Sequence, residues 1–162
     1  MANDVFLVKM AEMGVVENSK LLKTTLGSCV GVILHDGKNN ISGLAHIMLP
    51  RRLRQDMTVG KYANTAIPAL LSRLLKRGGK RENLRAYITG GANMFRYSED
   101  KKIATVGEKN IEAVRQILEE LELPIVFEET GGERGRTVLF DNQNGEIQVK
   151  TLAAVALAGA GK

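Results

Sequence analysis

The sequence predicts one mixed α/β domain. Two stretches carry apolar residues at helical spacing, and several shorter runs are rich in β-branched and aliphatic residues, which is typical of strands. The chain has 162 residues, of which 44% are hydrophobic and 25% are charged, so it can bury a substantial core. Many strands combined with two amphipathic helices indicate an α/β fold.

The helices are predicted over residues 61–77 and 108–121. Apolar residues on one face of the first are Ala63, Ala66, Ile67, Leu70, Leu71, Leu74 and Leu75, and on one face of the second are Ile111, Val114, Leu118 and Leu121. Gly78-Gly79 supplies the stop of the first helix, and Pro124 closes the second.

Strands are predicted at residues 5–9, 21–26, 29–34, 41–49, 84–89, 125–129, 136–140 and 146–151. The turn-rich segment "HDGKNN" separates the third from the fourth, and the Asn-Gly pair in "DNQNGE" separates the last two, which predicts two hairpins. We expect one domain over residues 1–152. The small-residue tail "AAVALAGAGK", residues 153–162, is expected to be loosely ordered.

Cys29 is the only cysteine, and the chain has two histidines. An internal disulfide is therefore excluded, the reducing cytoplasm is the expected compartment, and a structural zinc site is not expected. The N-terminus "MANDVFLVKM" is too short and too polar for a signal peptide, and no apolar run could span a bilayer. We therefore expect no membrane insertion.

The net charge of +5 arises partly from two basic clusters. One consists of Arg51, Arg52 and Arg54, and the other of Lys76, Arg77, Lys80, Arg81 and Arg85. Such clusters are compatible with nucleic acid, with an acidic protein partner or with a solvated rim. Aromatic residues make up only 4% and Trp is absent, which argues against stacking of bases, so nucleic acid is not the expected partner.

The predicted hairpin separates the two histidines, His35 and His46. If Gly37-Lys38 is a two-residue loop, Cys29 lies directly opposite His46, where Cβ atoms are about 4.5–5.5 Å apart. His35 is further along the strand that begins at Cys29, roughly 20 Å away at about 3.3 Å per residue. This register predicts that His46 is the partner of the thiol.

A thiol beside an imidazole can become a nucleophile, because the imidazole can take its proton and later protonate a leaving group. Gly27 permits a tight turn, and the N–H groups near Ser28 and Cys29 could stabilise an oxyanion. Ser28 is a weaker alternative nucleophile, since a hydroxyl needs a stronger base. A lone cysteine is also often only a small buried apolar residue.

The third group of such a site orients the histidine. Thr24 and Thr25 precede the cysteine on an adjoining segment, and a hydroxyl can hold one imidazole nitrogen. Plain β-propensity also explains threonines in a strand. The residues alone leave the choice between the two open.

Six motifs in order resemble the chemoreceptor glutamine deamidase family (CheD), from about residue 21 to residue 150. They are "LGSCVGVILHD", "GLAHIMLP", "GKYANTAI", "ITGGANMF", "VGEKNIEAV" and "EETGGERGRTVLF". The resemblance implies a layered α/β/β/α sandwich with mixed sheets, like that of the toxin-type cysteine deamidases. It also implies hydrolysis of selected Gln side chains to Glu in the cytoplasmic helices of methyl-accepting chemotaxis receptors.

The family's nucleophile falls on Cys29 and its histidine on His46. Its threonine stands six positions before the cysteine in some members, where this chain has Lys23, so Thr24 is the nearest candidate. The implied reaction passes through a thioester and needs no metal, nucleotide or organic cofactor. A CheC-type phosphatase that competes for the same surface is an implied second partner.

Three other functions fit parts of the sequence. The chain could be an adaptor for a chemotaxis phosphatase with little catalysis, another cysteine amidase or methylesterase, or a nucleic-acid-binding protein. An amide and an ester give the same thioester, so these residues do not separate a deamidase from an esterase. Ammonia release from a receptor fragment distinguishes the adaptor, and a steep salt dependence with duplex DNA distinguishes the last.

Overall fold

Two β-sheets stacked face to face, with two helices on one side, form the architecture of the computed structural model. It describes residues 4–52, 56–94 and 105–152. The predicted tail and one arginine of the first basic cluster, Arg54, lie outside these residues.

Nine strands and two α-helices are present in the described residues. The strands are β1 (Val5–Leu7), β2 (Met13–Glu17), β3 (Leu21–Leu26), β4 (Val30–Asp36), β5 (Ile41–Ile47), β6 (Leu84–Gly90), β7 (Ile125–Thr130), β8 (Arg136–Asp141) and β9 (Ile147–Thr151). The helices are α1 (Ala63–Lys76) and α2 (Val106–Glu120), and 3-10 turns lie at Val59–Lys61 and Arg81–Asn83.

Both sheets are mixed, as predicted. The four-stranded sheet has the order β1-β3-β8-β9, with only the β1–β3 pair parallel. The five-stranded sheet has the order β2-β5-β4-β6-β7, with only the β6–β7 pair parallel. The layered α/β sandwich is thereby confirmed. In the described residues both helices pack on the outer face of the five-stranded sheet, so the layers there are helix, sheet and sheet.

Two apolar clusters hold these layers together. The cluster between the sheets consists of Val8, Val16, Leu22, Leu26, Ile33, Leu44, Val138 and Phe140. The cluster under the helices joins the other faces of β4, β5 and β6 to the apolar stripes of α1 and α2. Fully burying one such aliphatic or aromatic side chain contributes about 1.5–3 kcal/mol. Strand β4 is buried along its whole length because both of its faces are covered.

The helices begin and pack where local chemistry allows. Thr105 caps α2, because its hydroxyl accepts a hydrogen bond from the Glu108 N–H at 3.2 Å. A Cβ at Gly43 of β5 would lie 2.6 Å from Leu70 Cδ1, so this glycine lets α1 approach the sheet closely. Both helices fall within two residues of their predicted bounds.

Strand β2 is absent from the sequence prediction. Its short alternation is interrupted by Gly14, a residue that β-propensity disfavours. In the structure a Cβ at Gly14 would lie 2.6 Å from Phe6 Cε1, so the space that a side chain would fill belongs to a neighbouring element. Tertiary packing therefore explains this strand, and local pattern does not.

The predicted register of the β4–β5 hairpin is wrong. Gly31 pairs with His46 and Asp36 pairs with Ile41, so four residues form the turn and Cys29 precedes the strand. Asp36 explains the longer turn, because its Oδ1 accepts hydrogen bonds from the N–H groups of Lys38 and Asn39, both at 3.0 Å. A shift of two residues preserves which face each side chain occupies.

Candidate active site

The first feature of the site is a contact between the two sheets. On β3 every second side chain points inward, and Thr24 is fully buried there between Leu22 and Leu26. On β5, His46 shares the inward face with Leu44 and is 3% exposed. A threonine of one sheet therefore meets a histidine of the other.

Thr24 Oγ1 lies 2.7 Å from the Val8 carbonyl oxygen and 2.8 Å from His46 Nδ1. A hydroxyl has a single proton, and a carbonyl can only accept, so Thr24 donates to Val8 and accepts from His46 Nδ1–H. This arrangement fixes the tautomer in which His46 Nε2 carries the free lone pair. The imidazole is thus oriented as a base. The adjacent Thr25 instead faces Thr137, with the two hydroxyl oxygens 3.4 Å apart.

Cys29 lies at the same end of the sandwich. It is half-buried and packs against the cluster between the sheets. Gly31, two residues later, pairs directly with His46. In a regular antiparallel pair such diagonal neighbours are about 7–8 Å apart, within reach of aromatic and long side chains. The corrected register therefore leaves Cys29 and His46 at the same end of the hairpin.

The segment that carries Cys29 is held by its carbonyl oxygens. The carbonyls of Gly27, Ser28 and Cys29 accept from the Ala92 N–H at 3.0 Å, from Asn110 Nδ2 at 3.1 Å and from the Gly91 N–H at 2.8 Å. Within the described part of the chain, the N–H groups of Ser28 and Cys29 have no acceptor.

Glycines at the end of β6 and at the start of α2 are required by this arrangement. Gly90 has φ +102°, and a Cβ there would lie 2.4 Å from the Cys29 carbonyl oxygen. A Cβ at Gly107 of α2 would lie 2.4 Å from the Gly91 carbonyl oxygen. The start of α2 therefore sits directly on the loop that holds the cysteine segment.

A second loop, residues 131–135, borders the first. The Gly131 N–H donates to the Gly90 carbonyl at 2.9 Å, and the Asn93 N–H donates to the Gly132 carbonyl at 2.8 Å. The buried Arg136 side chain anchors this loop, with Nη1 2.6 Å from Glu129 Oε1 and 3.0 Å from the Glu129 carbonyl oxygen. Arg136, the second arginine of "GGERGR", is thus engaged within the protein.

Burial favours the neutral forms of both Cys29 and His46. Burial raises the pKa of Cys29 above its ordinary value of 9.0. Burial lowers the pKa of His46 below its ordinary 6.5, and the Val8 carbonyl and the Glu12 carboxylate oppose that shift. At neutral pH the resting pair is a thiol and a neutral imidazole, so the imidazole is free to accept the thiol proton.

His35 lies at the far end of β4, four residues beyond Gly31 and so about 13 Å away along the strand. Its Nε2 lies 2.9 Å from the Asn142 carbonyl oxygen, and its ring meets the Phe140 ring edge to face at 5.1 Å. Burial lowers the pKa of His35. These contacts link the two sheets away from Cys29.

The second basic cluster is tied largely to the protein itself. Arg77 pairs with Glu17 at 2.7 Å, Arg81 donates to the Leu121 carbonyl, and Arg85 donates to the Leu84 carbonyl at 2.9 Å.

The first basic cluster borders a groove. Arg51 lines a groove of about 390 Å³ together with the exposed side of α2, and Arg52 is exposed beside it.

Residue Asn110 was not singled out from the sequence, although a signal was present. It falls on the apolar stripe of α2, since Ala113, Val114 and Ile117 follow at three, four and seven residues. An amide on a buried stripe indicates a specific hydrogen-bonding role.

Neither a metal cluster nor a membrane helix is found in residues 4–52, 56–94 and 105–152. No group there contains three His, Cys, Asp or Glu side chains arranged to hold a metal ion. No helix among them combines the length and apolarity needed to cross a membrane.

Comparison with solved structures shows the fold. Neisseria meningitidis protein NMB0706 superposes with a TM-score of 0.51, covering 86% of this chain and 75% of its own, at 10% sequence identity.

Sequence comparisons identify the family. A family model described as "CheD chemotactic sensory transduction" matches residues 48–151. The chain is 41% identical over 154 residues to a protein named chemoreceptor glutamine deamidase CheD from Halalkalibacterium halodurans, covering 93% of this chain and 95% of the relative. It is 44% identical over 147 residues to a probable chemoreceptor glutamine deamidase CheD from Methanococcus vannielii, covering 90% and 94%. The chain therefore belongs to the CheD family.

Proposed function

We propose that this protein is a cysteine-dependent deamidase that converts Gln side chains of chemotaxis receptors to Glu. The observation that carries the proposal is the hydrogen bond from His46 to Thr24, which leaves His46 Nε2 free at the end of the sandwich where the only thiol of the chain lies. The names of the curated relatives supply the reaction and the class of substrate.

In the proposed reaction, His46 Nε2 takes the proton of Cys29 as the sulfur attacks the carboxamide carbon. The tetrahedral intermediate collapses, the C–N bond breaks, and His46 gives the proton to the departing ammonia. A thioester remains. His46 then deprotonates a water molecule, the water oxygen attacks the thioester carbon, and the C–S bond breaks to give glutamate and the free thiol.

The N–H groups of Ser28 and Cys29 are the proposed oxyanion donors. Their carbonyl neighbours are fixed by hydrogen bonds, so the donors are held in place before the substrate arrives. Preorganised donors of this kind stabilise charge that develops only in the intermediate, and removing one costs about a hundredfold to a thousandfold in turnover in other enzymes. No step in this scheme requires a metal or an organic cofactor.

A receptor helix is recognised, in this proposal, at the groove between Arg51 and α2. The segment that lines it, Leu49 to Arg51, begins two residues after the end of the strand that carries His46. Exposed arginines at this position would attract acidic groups on a receptor helix. A CheC-type phosphatase is a further proposed partner, and it would compete with the receptor for this groove.

The test is mass spectrometry of a chemoreceptor cytoplasmic fragment after incubation with the protein in H₂¹⁸O. We expect one ammonia released for each Gln converted, and one ¹⁸O in each new Glu. Added hydroxylamine should divert part of the product to the hydroxamate, because it attacks a thioester faster than water does.

Cys29→Ala is the matched control and should abolish conversion while the domain stays folded. Full conversion by that variant would refute the cysteine mechanism. An absence of ammonia with wild-type protein, together with binding to the phosphatase, would support the adaptor function instead. Methanol release from receptor Glu esters would indicate a methylesterase.

A further inference from the structure

We propose that Asn110 is a positioning residue that sets the geometry between Cys29 and His46. This inference rests on the proposed function, because it assigns Asn110 a role in the same reaction. Asn110 lies on α2 and contacts neither reacting atom, so its effect is transmitted through the main chain.

Asn110 joins the two segments that carry the reactive groups. Its side chain is fully buried, and Nδ2 donates to the Ser28 carbonyl at 3.1 Å and to the Met48 carbonyl at 3.0 Å. Both partners are carbonyl oxygens and can only accept, which fixes the orientation of the amide. Ser28 immediately precedes Cys29, and Met48 follows His46 by two residues. One amide group therefore links the segment that carries Cys29 to the end of strand β5, which carries His46.

The bond to Ser28 also fixes the direction of an N–H group. A trans peptide is planar, with its C=O and N–H pointing to opposite sides. Holding the Ser28 carbonyl on α2 turns the Cys29 N–H away from the helix, and that N–H has no acceptor among the described residues. Asn110 thus orients the Cys29 N–H, the proposed oxyanion donor, and also sets the distance between the segments that carry Cys29 and His46.

The chain offers a closely matched control in Asn142. That side chain is also fully buried, and its Nδ2 donates to the carbonyls of Asn18 and Asn40, both at 2.9 Å. In both asparagines Oδ1 is buried with no partner in the described residues. Asn142 lies beside His35, at the other end of the sandwich from Cys29. Equivalent substitutions remove equivalent bonds at the two ends.

The experiment compares Asn110→Asp with Asn142→Asp, since aspartate keeps the shape but loses both donors. Asn110→Ser and Asn142→Ser are the second pair, in case a carboxylate prevents folding. Three quantities are measured for each folded variant: the urea midpoint, the kcat and KM of receptor deamidation, and the rate of iodoacetamide modification of Cys29 at pH 7. The last is unambiguous because the chain has one thiol.

We expect both pairs to lower the urea midpoint by similar amounts. Only the Asn110 variants should lower kcat, by about tenfold to a hundredfold, because the geometry of attack is disturbed. KM should rise as well, because the lost bond to Met48 loosens the segment that continues into the groove. The Asn110 variants should also slow iodoacetamide modification about tenfold, because His46 no longer takes the thiol proton. A residue that only supported the fold would have the opposite effect, since a loosened site exposes the thiol.

Wild-type rates of Cys29 modification in folded Asn110 variants would overturn the inference, and so would equal losses of kcat in the Asn142 variants. If wild-type protein releases no ammonia but modification of Cys29 is slowed only in the Asn110 variants, the positioning role stands and the proposed deamidase function fails.

Discussion

Thr24→Val is the sharpest test of how the base is held. Valine has nearly the shape of threonine, so the substitution removes one hydroxyl and leaves the packing intact. Two hydrogen bonds are lost, one to the Val8 carbonyl at 2.7 Å and one from His46 Nδ1 at 2.8 Å. Both former partners stay buried, and the Val8 carbonyl also interacts with the His46 ring.

The expected magnitude follows from the hydrogen bonds lost. Leaving a buried donor or acceptor unsatisfied costs about 1–3 kcal/mol, so with two groups affected the free energy of unfolding should fall by up to about 6 kcal/mol. For turnover, the loss of about 1–2 kcal/mol of orientation at His46 corresponds to about a 5- to 30-fold decrease in kcat. KM should not change, since the fully buried Thr24 cannot touch a substrate.

The assay is steady-state deamidation of a receptor fragment, with urea unfolding measured on the same samples. Thr24→Ser keeps the hydroxyl and should restore kcat, with a stability loss of about 1 kcal/mol from the missing methyl group. Thr25→Val is the matched control, because that hydroxyl faces Thr137 and solvent. An undiminished kcat in Thr24→Val, or an equal loss in Thr25→Val, would refute this account.

Four further outcomes are expected. His46→Ala should abolish turnover, whereas His35→Ala should mainly lower the urea midpoint, since His35 links the sheets far from the thiol; equal losses of turnover would contradict the assignment. Iodoacetamide modification of Cys29 should have its pH midpoint above 9.0, because burial raises the pKa of the thiol. The acidic limb of kcat/KM should lie below pH 6.5, because activity is lost as falling pH protonates His46, whose pKa is lowered. Midpoints at the ordinary values would show that burial does not shift these two pKa values. Reversing the charge of Arg51 and Arg52 should lower kcat/KM and its salt dependence but not kcat, and unchanged kinetics would assign both arginines to solvent. Free glutamine should be a very poor substrate, since it lacks the receptor surface that positions the carboxamide, and rapid hydrolysis would indicate a small-molecule amidase.

The hairpin illustrates what a local pattern can and cannot predict. Apolar runs on both sides of a turn-rich segment were sufficient to predict strands β4 and β5. The register was not predictable from them, because it depends on where one buried carboxylate places its hydrogen bonds. Asp36 accepts from Lys38, Asn39 and also from the Lys80 N–H at 2.8 Å, a residue far along the chain. The local sequence pattern could not predict that third contact.

The site shows the same division. Cys29 and His46 could be selected because the chain has so few residues capable of such chemistry, and a shift of two residues left both on one face. Between Thr24 and Thr25, strand alternation indicated that only one could face the histidine but not which one, because that depends on how the second sheet docks. The role of Asn110 could not be predicted, because its two hydrogen bonds depend on how α2 packs against the segments that contain Ser28 and Met48.

The hydrogen bond between Thr24 and His46 crosses from one sheet to the other, so the orientation of the imidazole depends on the distance between the two sheets. Leu22 and Phe140 pair on the inner face of the four-stranded sheet, next to Thr24, and both are fully buried. A change in their volume would tilt or separate the sheets, and it would thereby misorient the His46 imidazole without altering Cys29. A core substitution that shifts one sheet relative to the other, or a partner that presses on one sheet, would therefore lower the rate of a reaction that depends on this imidazole.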